Sequence, residues 1–245
     1  MNWTTRIIQT TALLIGLGTW ITAGAQEAPL AGKWSVAGTN PEGEMYRGDL
    51  EIDAINSLLY QLRWDVQYEG EPQRDEFPGT ALYDKNNQVM YAAYGIGTLR
   101  YGLVVYPLNE KGGLEGEGQW TSHQGIGAEL LAGKLNRKNI AGTYEVVGRR
   151  SKGDVELGAS ETYQGTLTIT KDGDVYNMTW KLGDGAPYSG FAYKTGDQLV
   201  GVWGIGGSYG LEIYTFDNMD KATATWVTPS YKDGKERGTE TITRQ

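Results

Sequence analysis

This sequence predicts an all-β fold of two tandem antiparallel barrels, and three observations carry that prediction. The chain repeats itself in order at an offset of about 110 residues. Within each copy, apolar residues alternate with a period of two. Turn-forming clusters separate the alternating runs, and no stretch shows an apolar helical period.

The first 25 residues are read apart from the fold. Arg6 supplies a positive n-region, Ile7 to Ile21 is mostly apolar, and Ala23-Gly24-Ala25 offers small residues for cleavage before Gln26. The apolar core is short and contains Gln9, Thr10 and Thr11, which suits a cleaved signal better than an anchor. Export to a periplasm or to the medium is therefore expected, leaving a mature chain of about 220 residues without membrane insertion. The absence of cysteine removes disulfides, so burial must stabilise the fold.

The repeats divide near residues 136–139, giving expected domains of 26–135 and 140–245. Leu30-Ala31-Gly32-Lys33-Trp34-Ser35-Val36 answers to Ile140-Ala141-Gly142-Thr143-Tyr144-Glu145-Val146. Tyr46-Arg47-Gly48-Asp49-Leu50-Glu51-Ile52 answers to Tyr163-Gln164-Gly165-Thr166-Leu167-Thr168-Ile169, and Leu59 to Trp64 answers to Val175 to Trp180. The clearest copy runs from Val89 to Tyr106 and again from Leu199 to Tyr214: an apolar run, an aromatic, G-I-G, a short gap, Y-G-L, then Tyr. The glycines read as a hairpin between neighbouring strands. A phosphate loop would need a helix to follow.

About eight strands are expected per half. In the first they begin near Gly32, Arg47, Leu58, Phe77, Val89, Tyr101, Gly113 and Ala128. Leu58, Tyr60, Leu62, Trp64 and Val66 face one side, and Leu59, Gln61, Arg63, Asp65 and Gln67 the other. Eight short strands in order form an up-and-down barrel or a barrel-like sandwich, filled by side chains or holding one small ligand. One larger barrel shared by both halves is the alternative. An outer-membrane barrel needs an apolar outer face. Arg63, Asp65, Asn177, Thr179 and Lys181 occupy that face here, and the chain ends Thr-Ile-Thr-Arg-Gln without a terminal aromatic.

Gly32-Lys33-Trp34 resembles the G-x-W opening of calycin-type barrels, the lipocalins and avidins, and Gly142-Thr143-Tyr144 places Tyr at the same point. The resemblance covers three residues per half and the strand count. It implies a barrel whose aromatic closes one end and whose interior takes a small, often apolar ligand. No other lipocalin motif and no biotin-contacting set is matched.

Without the leader the chain carries 21 basic and 30 acidic residues, a net charge of about −9. That balance disfavours nucleic acid and anionic lipid, and the densest basic cluster, Arg149-Arg150 with Lys152, reads as a solvated turn. The 36 glycines and 16 tyrosines fit many short strands. Trp64, Tyr94, Trp120, Trp180, Trp203 and Trp226 are the candidate ligand-binding residues, as an aromatic lining for a planar, apolar or sugar-like ligand. The competing reading is that these rings, with Trp34 and Tyr144, simply fill two small cores.

Catalysis has little support in the sequence. His123 is the sole histidine and has no counterpart in the second half, so neither a histidine metal cluster nor a signalled triad exists. Glu115 and Glu117 read as a solvated face, and Asp172-Gly173-Asp174 and the 217–220 run read as turns rather than calcium loops. No cofactor is implied. The expected protein is a non-catalytic binding protein for a small molecule. The alternatives are an adhesin-like protein contacting a protein partner through its outer faces and, behind both, a hydrolase, which a carboxylate pair inside a cleft would favour.

Overall fold

A computed structural model describes residues 29–95, 100–122, 125–132, 138–150, 162–233 and 236–245. The expected signal peptide, His123, Gly97 and Lys152 lie outside the described residues.

The strands are β1 (Gly32–Thr39), β2 (Met45–Ala54), β3 (Leu59–Tyr68), β4 (Asp75–Asp84), β5 (Val89–Gly95), β6 (Tyr101–Pro107), β7 (Glu117–Ser122) and β8 (Gly125–Ala132). The second repeat gives β9 (Gly142–Arg150), β10 (Thr162–Asp172), β11 (Val175–Leu182), β12 (Pro187–Thr195), β13 (Gln198–Ile205), β14 (Tyr209–Asn218), β15 (Lys221–Val227) and β16 (Gly238–Arg244). All pair antiparallel into two closed eight-stranded barrels, and the described residues contain no helix. The strand count and starts match the sequence reading closely; β7 begins four residues later than expected.

The barrels do not coincide with the repeats. One closes as β1-β16-β15-β14-β5-β4-β3-β2 and the other as β10-β11-β12-β13-β6-β7-β8-β9. Strands six to eight of each repeat therefore complete the barrel begun by the other. The division into 26–135 and 140–245 follows the duplication but not the barrels. The inserted barrel is the contiguous run β6–β13, and the split barrel is assembled around it from β1–β5 and β14–β16.

The G-I-G reading changes accordingly. β5 pairs with β4 and β14, while β13 pairs with β12 and β6. The twin stretches are crossovers between barrels, not hairpins. Their shared residues interlock across the exchange. A side chain at Gly210 would lie 2.2 Å from the Tyr94 ring, its strand partner from the other repeat. One at Gly102 would lie 2.9 Å from Trp203. Gly95 and Gly204 likewise leave room for the rings of Tyr101 and Tyr209. In the second crossover Gly206 takes a φ of 81°, a left-handed conformation open chiefly to glycine.

Period-two alternation sets the packing. On β3, Tyr60, Leu62, Trp64 and Val66 point into the split barrel, while Gln61 and Arg63 are exposed. Leu59 faces outward yet is buried, because a third apolar cluster joins the barrels. Leu59, Leu82, Tyr91, Tyr101 and Leu103 meet Phe191, Val200, Val202, Tyr209 and Leu211 there. Leu58 precedes β3 and is exposed. Away from this contact the outer face of β11 is polar, at Thr179 and Lys181.

One end of the split barrel is shut. Trp34 is fully buried, its Nε1 donates to the Leu30 carbonyl at 3.1 Å, and the Arg244 guanidinium lies 4.4 Å above its ring. Arg244 also donates to the carbonyls of Pro29 and Ala31. The inserted barrel uses Tyr144, whose hydroxyl donates to the Ile140 carbonyl at 2.7 Å.

Candidate functional site: an aromatic cavity with two buried carboxyls

The expected aromatics fall into two sets that the exchange sorts. Trp64, Tyr94 and Trp226 come together in the split barrel, and Trp120, Trp180 and Trp203 in the inserted one. Each set draws on both repeats. In the inserted barrel the rings pack on one another: Trp120 sits 6.5 Å from Trp203 and 6.3 Å from Tyr163, and Trp203 sits 5.8 Å from Tyr188.

The split barrel holds a cavity of about 140 Å³, lined by Tyr46, Trp64, Val66, Tyr68, Phe77, Tyr94, Glu212, Trp226, Thr228 and Glu240. Its inner wall is buried, and its mouth is formed by the half-buried Tyr68, Phe77, Tyr94, Trp226 and Thr228. The mouth lies at the barrel end opposite Trp34. Tyr94 is the hub of the rings, in edge-on contact with Trp64, Phe77 and Trp226 at 6.1 to 6.2 Å. Glycines seat the rings against the wall: a side chain at Gly79 would strike Trp64, and one at Gly238 would strike Trp226.

Beneath the rings lie two carboxyls. Glu240 on β16 accepts from the Tyr46 hydroxyl at 2.9 Å, from Trp64 Nε1 at 3.3 Å and from the Tyr214 hydroxyl. Trp226 Nε1 donates to the Tyr46 hydroxyl at 2.9 Å. Glu129 on β8 repeats this arrangement in the inserted barrel. It accepts from the Tyr163 hydroxyl at 2.8 Å, Trp180 Nε1 at 3.2 Å and the Tyr106 hydroxyl. A buried carboxylate fed by three donors is thus a shared support of both cores.

Glu212 is different. It sits on β14 two residues before Tyr214, is 2 % exposed, and its Oε1 has no hydrogen-bond partner among the described residues. The repeat-equivalent residue on β6 is Val104, also buried. Burial raises the Glu212 carboxyl well above its ordinary range, and the neighbouring Glu240 raises it further, against a smaller pull from the Tyr214 hydroxyl. Burial likewise lifts Glu240 from 4.5 to about 7, against the pull of its three donors. Tyr46, Tyr94 and Tyr214 are pushed up by burial first and by these carboxyls second. Among the described residues, no lysine, arginine or histidine lines the cavity.

The sequence reading missed Glu212, Glu240 and their tyrosine donors. The signal was present as Y-G-L-E-I-Y against Y-G-L-V-V-Y, a charge at an inward position whose copy is apolar. The carboxylates that the sequence did bring forward, Glu115 and Glu117, are exposed. Asp172-Gly173-Asp174 forms the turn between β10 and β11.

No protein-family model matches the chain, and no curated protein does. Among solved structures the chain is similar to a de novo designed fluorescence-activating β-barrel, at 9% identity and a TM-score of 0.27, covering 90% of this chain and 98% of that one. It is also similar to EF1p2_mFAP2b bound to DFHBI, at 10% identity and a TM-score of 0.30, covering 89% and 94%. A redesigned β-barrel, b11L5F_LGL, gives 10% identity and a TM-score of 0.25, covering 89% and 92%.

Proposed function

We propose that this is an exported, non-catalytic binding protein that holds one small molecule in the split barrel. The observation that carries the reading is the aromatic cavity, closed at its base by Trp34 and open at Tyr68 and Phe77. Its volume is close to the roughly 150 Å³ of a protein cavity that takes benzene, so the bound portion is about one ring in size. Flat aromatic walls suit an apolar, aromatic or sugar-like group of that size. Export rests on the N-terminal sequence pattern alone.

Titration of tryptophan fluorescence with single-ring aromatics and monosaccharides tests this reading. A saturable emission change is expected, abolished by Trp226→Ala and unaffected by Trp203→Phe in the inserted barrel. A protein that shows no saturable change with any of them, by fluorescence or calorimetry, is not such a binder.

Glu212 and Glu240 favour a second reading, since paired buried carboxyls with raised pKa values are the parts of a glycosidase. Two features argue against it. Glu240 is committed to three donors, and a cavity about one ring in size leaves little room for sugars on both sides of a bond. Release of nitrophenol from aryl glycosides, lost in Glu212→Gln, would establish the hydrolase instead.

A further inference from the structure

Both carboxyls belong to one aromatic chamber, yet they have different standing. Glu240 has a counterpart in Glu129, with the same three donors on the same kinds of atom, so the fold itself accounts for it. Nothing in the fold accounts for Glu212. Its twin position holds Val104, which shows that an apolar residue completes a barrel of this design. A buried carboxyl with an unpartnered oxygen is destabilising. Here that oxygen belongs to a residue of the cavity wall.

The surroundings define what would partner it. The titratable groups facing Glu212 are Tyr94 from β5, Tyr46 from β2, Tyr214 on its own strand and Glu240 from β16. All of them are neutral or acidic. The rest of the wall is Trp64, Tyr68, Phe77 and Trp226, rings whose faces attract cations. Two acids and a cage of aromatic faces, with no basic side chain among the lining residues described, leave the positive charge to be brought by the ligand.

We infer that the split-barrel cavity binds a small organic cation, an amine or quaternary ammonium no larger than about one ring, with Glu212 as its counter-ion. This inference rests on the proposed binding function and names its ligand class. The aromatic rings hold the body of the cation, and Glu212 and Glu240 supply the charge. Binding and protonation of these carboxyls compete, so affinity for a cation of fixed charge rises with pH as they ionise.

Choline and its uncharged carbon analogue, 3,3-dimethyl-1-butanol, form a suitable pair of probes, because neither titrates over the working range. Measured by calorimetry on the full chain at pH 8, choline is expected to bind at least tenfold more tightly than the alcohol. At pH 5 that preference should shrink severalfold. Glu212→Gln, a shape-conserving change, should erase the preference at pH 8 while leaving the alcohol's affinity within about twofold. Thermal melts of the variant confirm that the fold is kept. If the alcohol binds as tightly as choline at both pH values, the cation assignment fails while the binding function stands. If neither probe binds, nor any uncharged ring-sized compound, both fail. Co-sedimentation with phosphatidylcholine vesicles separates the sources of an ammonium. Choline-competable sedimentation assigns it to a lipid headgroup, and choline binding without sedimentation to a free solute.

Discussion

The two barrels are built from the same repeat and differ most where it matters for a ligand. In both, a buried glutamate gathers two tyrosine hydroxyls and a tryptophan N–H beneath a layer of rings. In the inserted barrel Trp203 packs against Trp120, with Val104 opposite Trp120 on the neighbouring strand. In the split barrel Tyr94 replaces the larger indole, Glu212 replaces Val104, and a cavity opens. Both copies carry the scaffold, and in the split barrel it borders a chamber with Glu212 in its wall. The comparison separates what the fold requires from what the fold merely permits.

The largest expected effect tests the shared part. Glu129→Ala and Glu240→Ala each orphan three buried donors, so each should lower stability by about 4 kcal/mol in urea melts, given roughly 1–3 kcal/mol per donor with incomplete additivity. A large inequality between them would break the equivalence of the two cores. The next effect is the pH dependence of stability. Glu240 titrates near 7 in the folded protein and near 4.5 when unfolded, and Glu212 is shifted in the same direction. The contribution of Glu240 is fully present below about 4.5 and is lost as pH rises through 7, roughly 3 kcal/mol at about 1.4 kcal/mol per unit, and Glu212 acts in the same direction. The urea midpoint should therefore fall between pH 5 and pH 8, and Glu212→Val should flatten that fall.

Exchanging the residues at the Glu212 and Val104 positions sharpens the contrast further. Glu212→Val should raise stability by about 2 kcal/mol at pH 8 and abolish cation binding, whereas Val104→Glu should cost about as much. Thermal denaturation of the two variants would expose a miscast pair if both moved the same way. The smallest effect is Trp226→Phe. It removes the indole donor to Tyr46 and should cost about 1 kcal/mol while loosening the mouth of the cavity.

Much of this architecture was legible in the sequence because it is local. Alternation along β3 and β11, the turn residues between strands and the ordered matches from Trp34 to Trp226 all survive in the linear order. The exchange was not legible. β5 meets Tyr-Gly-Leu whether it pairs with β6 or with β14, and Tyr94 would find a glycine in either case, at Gly102 or at Gly210. Equivalent partners leave no mark in the pattern, and the choice is expressed only in the cluster joining Leu59, Tyr91 and Tyr101 to Val200, Val202 and Leu211. The cavity was hidden for another reason. Its volume depends on eight strands contributed by two repeats, whereas Glu212 was visible as one charge within a repeated apolar segment.

The insertion of one barrel within the other also sets an order of events during synthesis. The inserted barrel is complete once the chain reaches Ile205, while the split barrel, begun at Gly32, waits for β16 to end at Arg244. Five strands, from β1 to β5, must therefore stay open with unpaired edges while an entire neighbour closes beside them. The chamber is the last part of the molecule to exist. A chain cut short after β14 would keep Glu212 and lack Glu240, so only a finished protein presents both carboxyls beneath the rings.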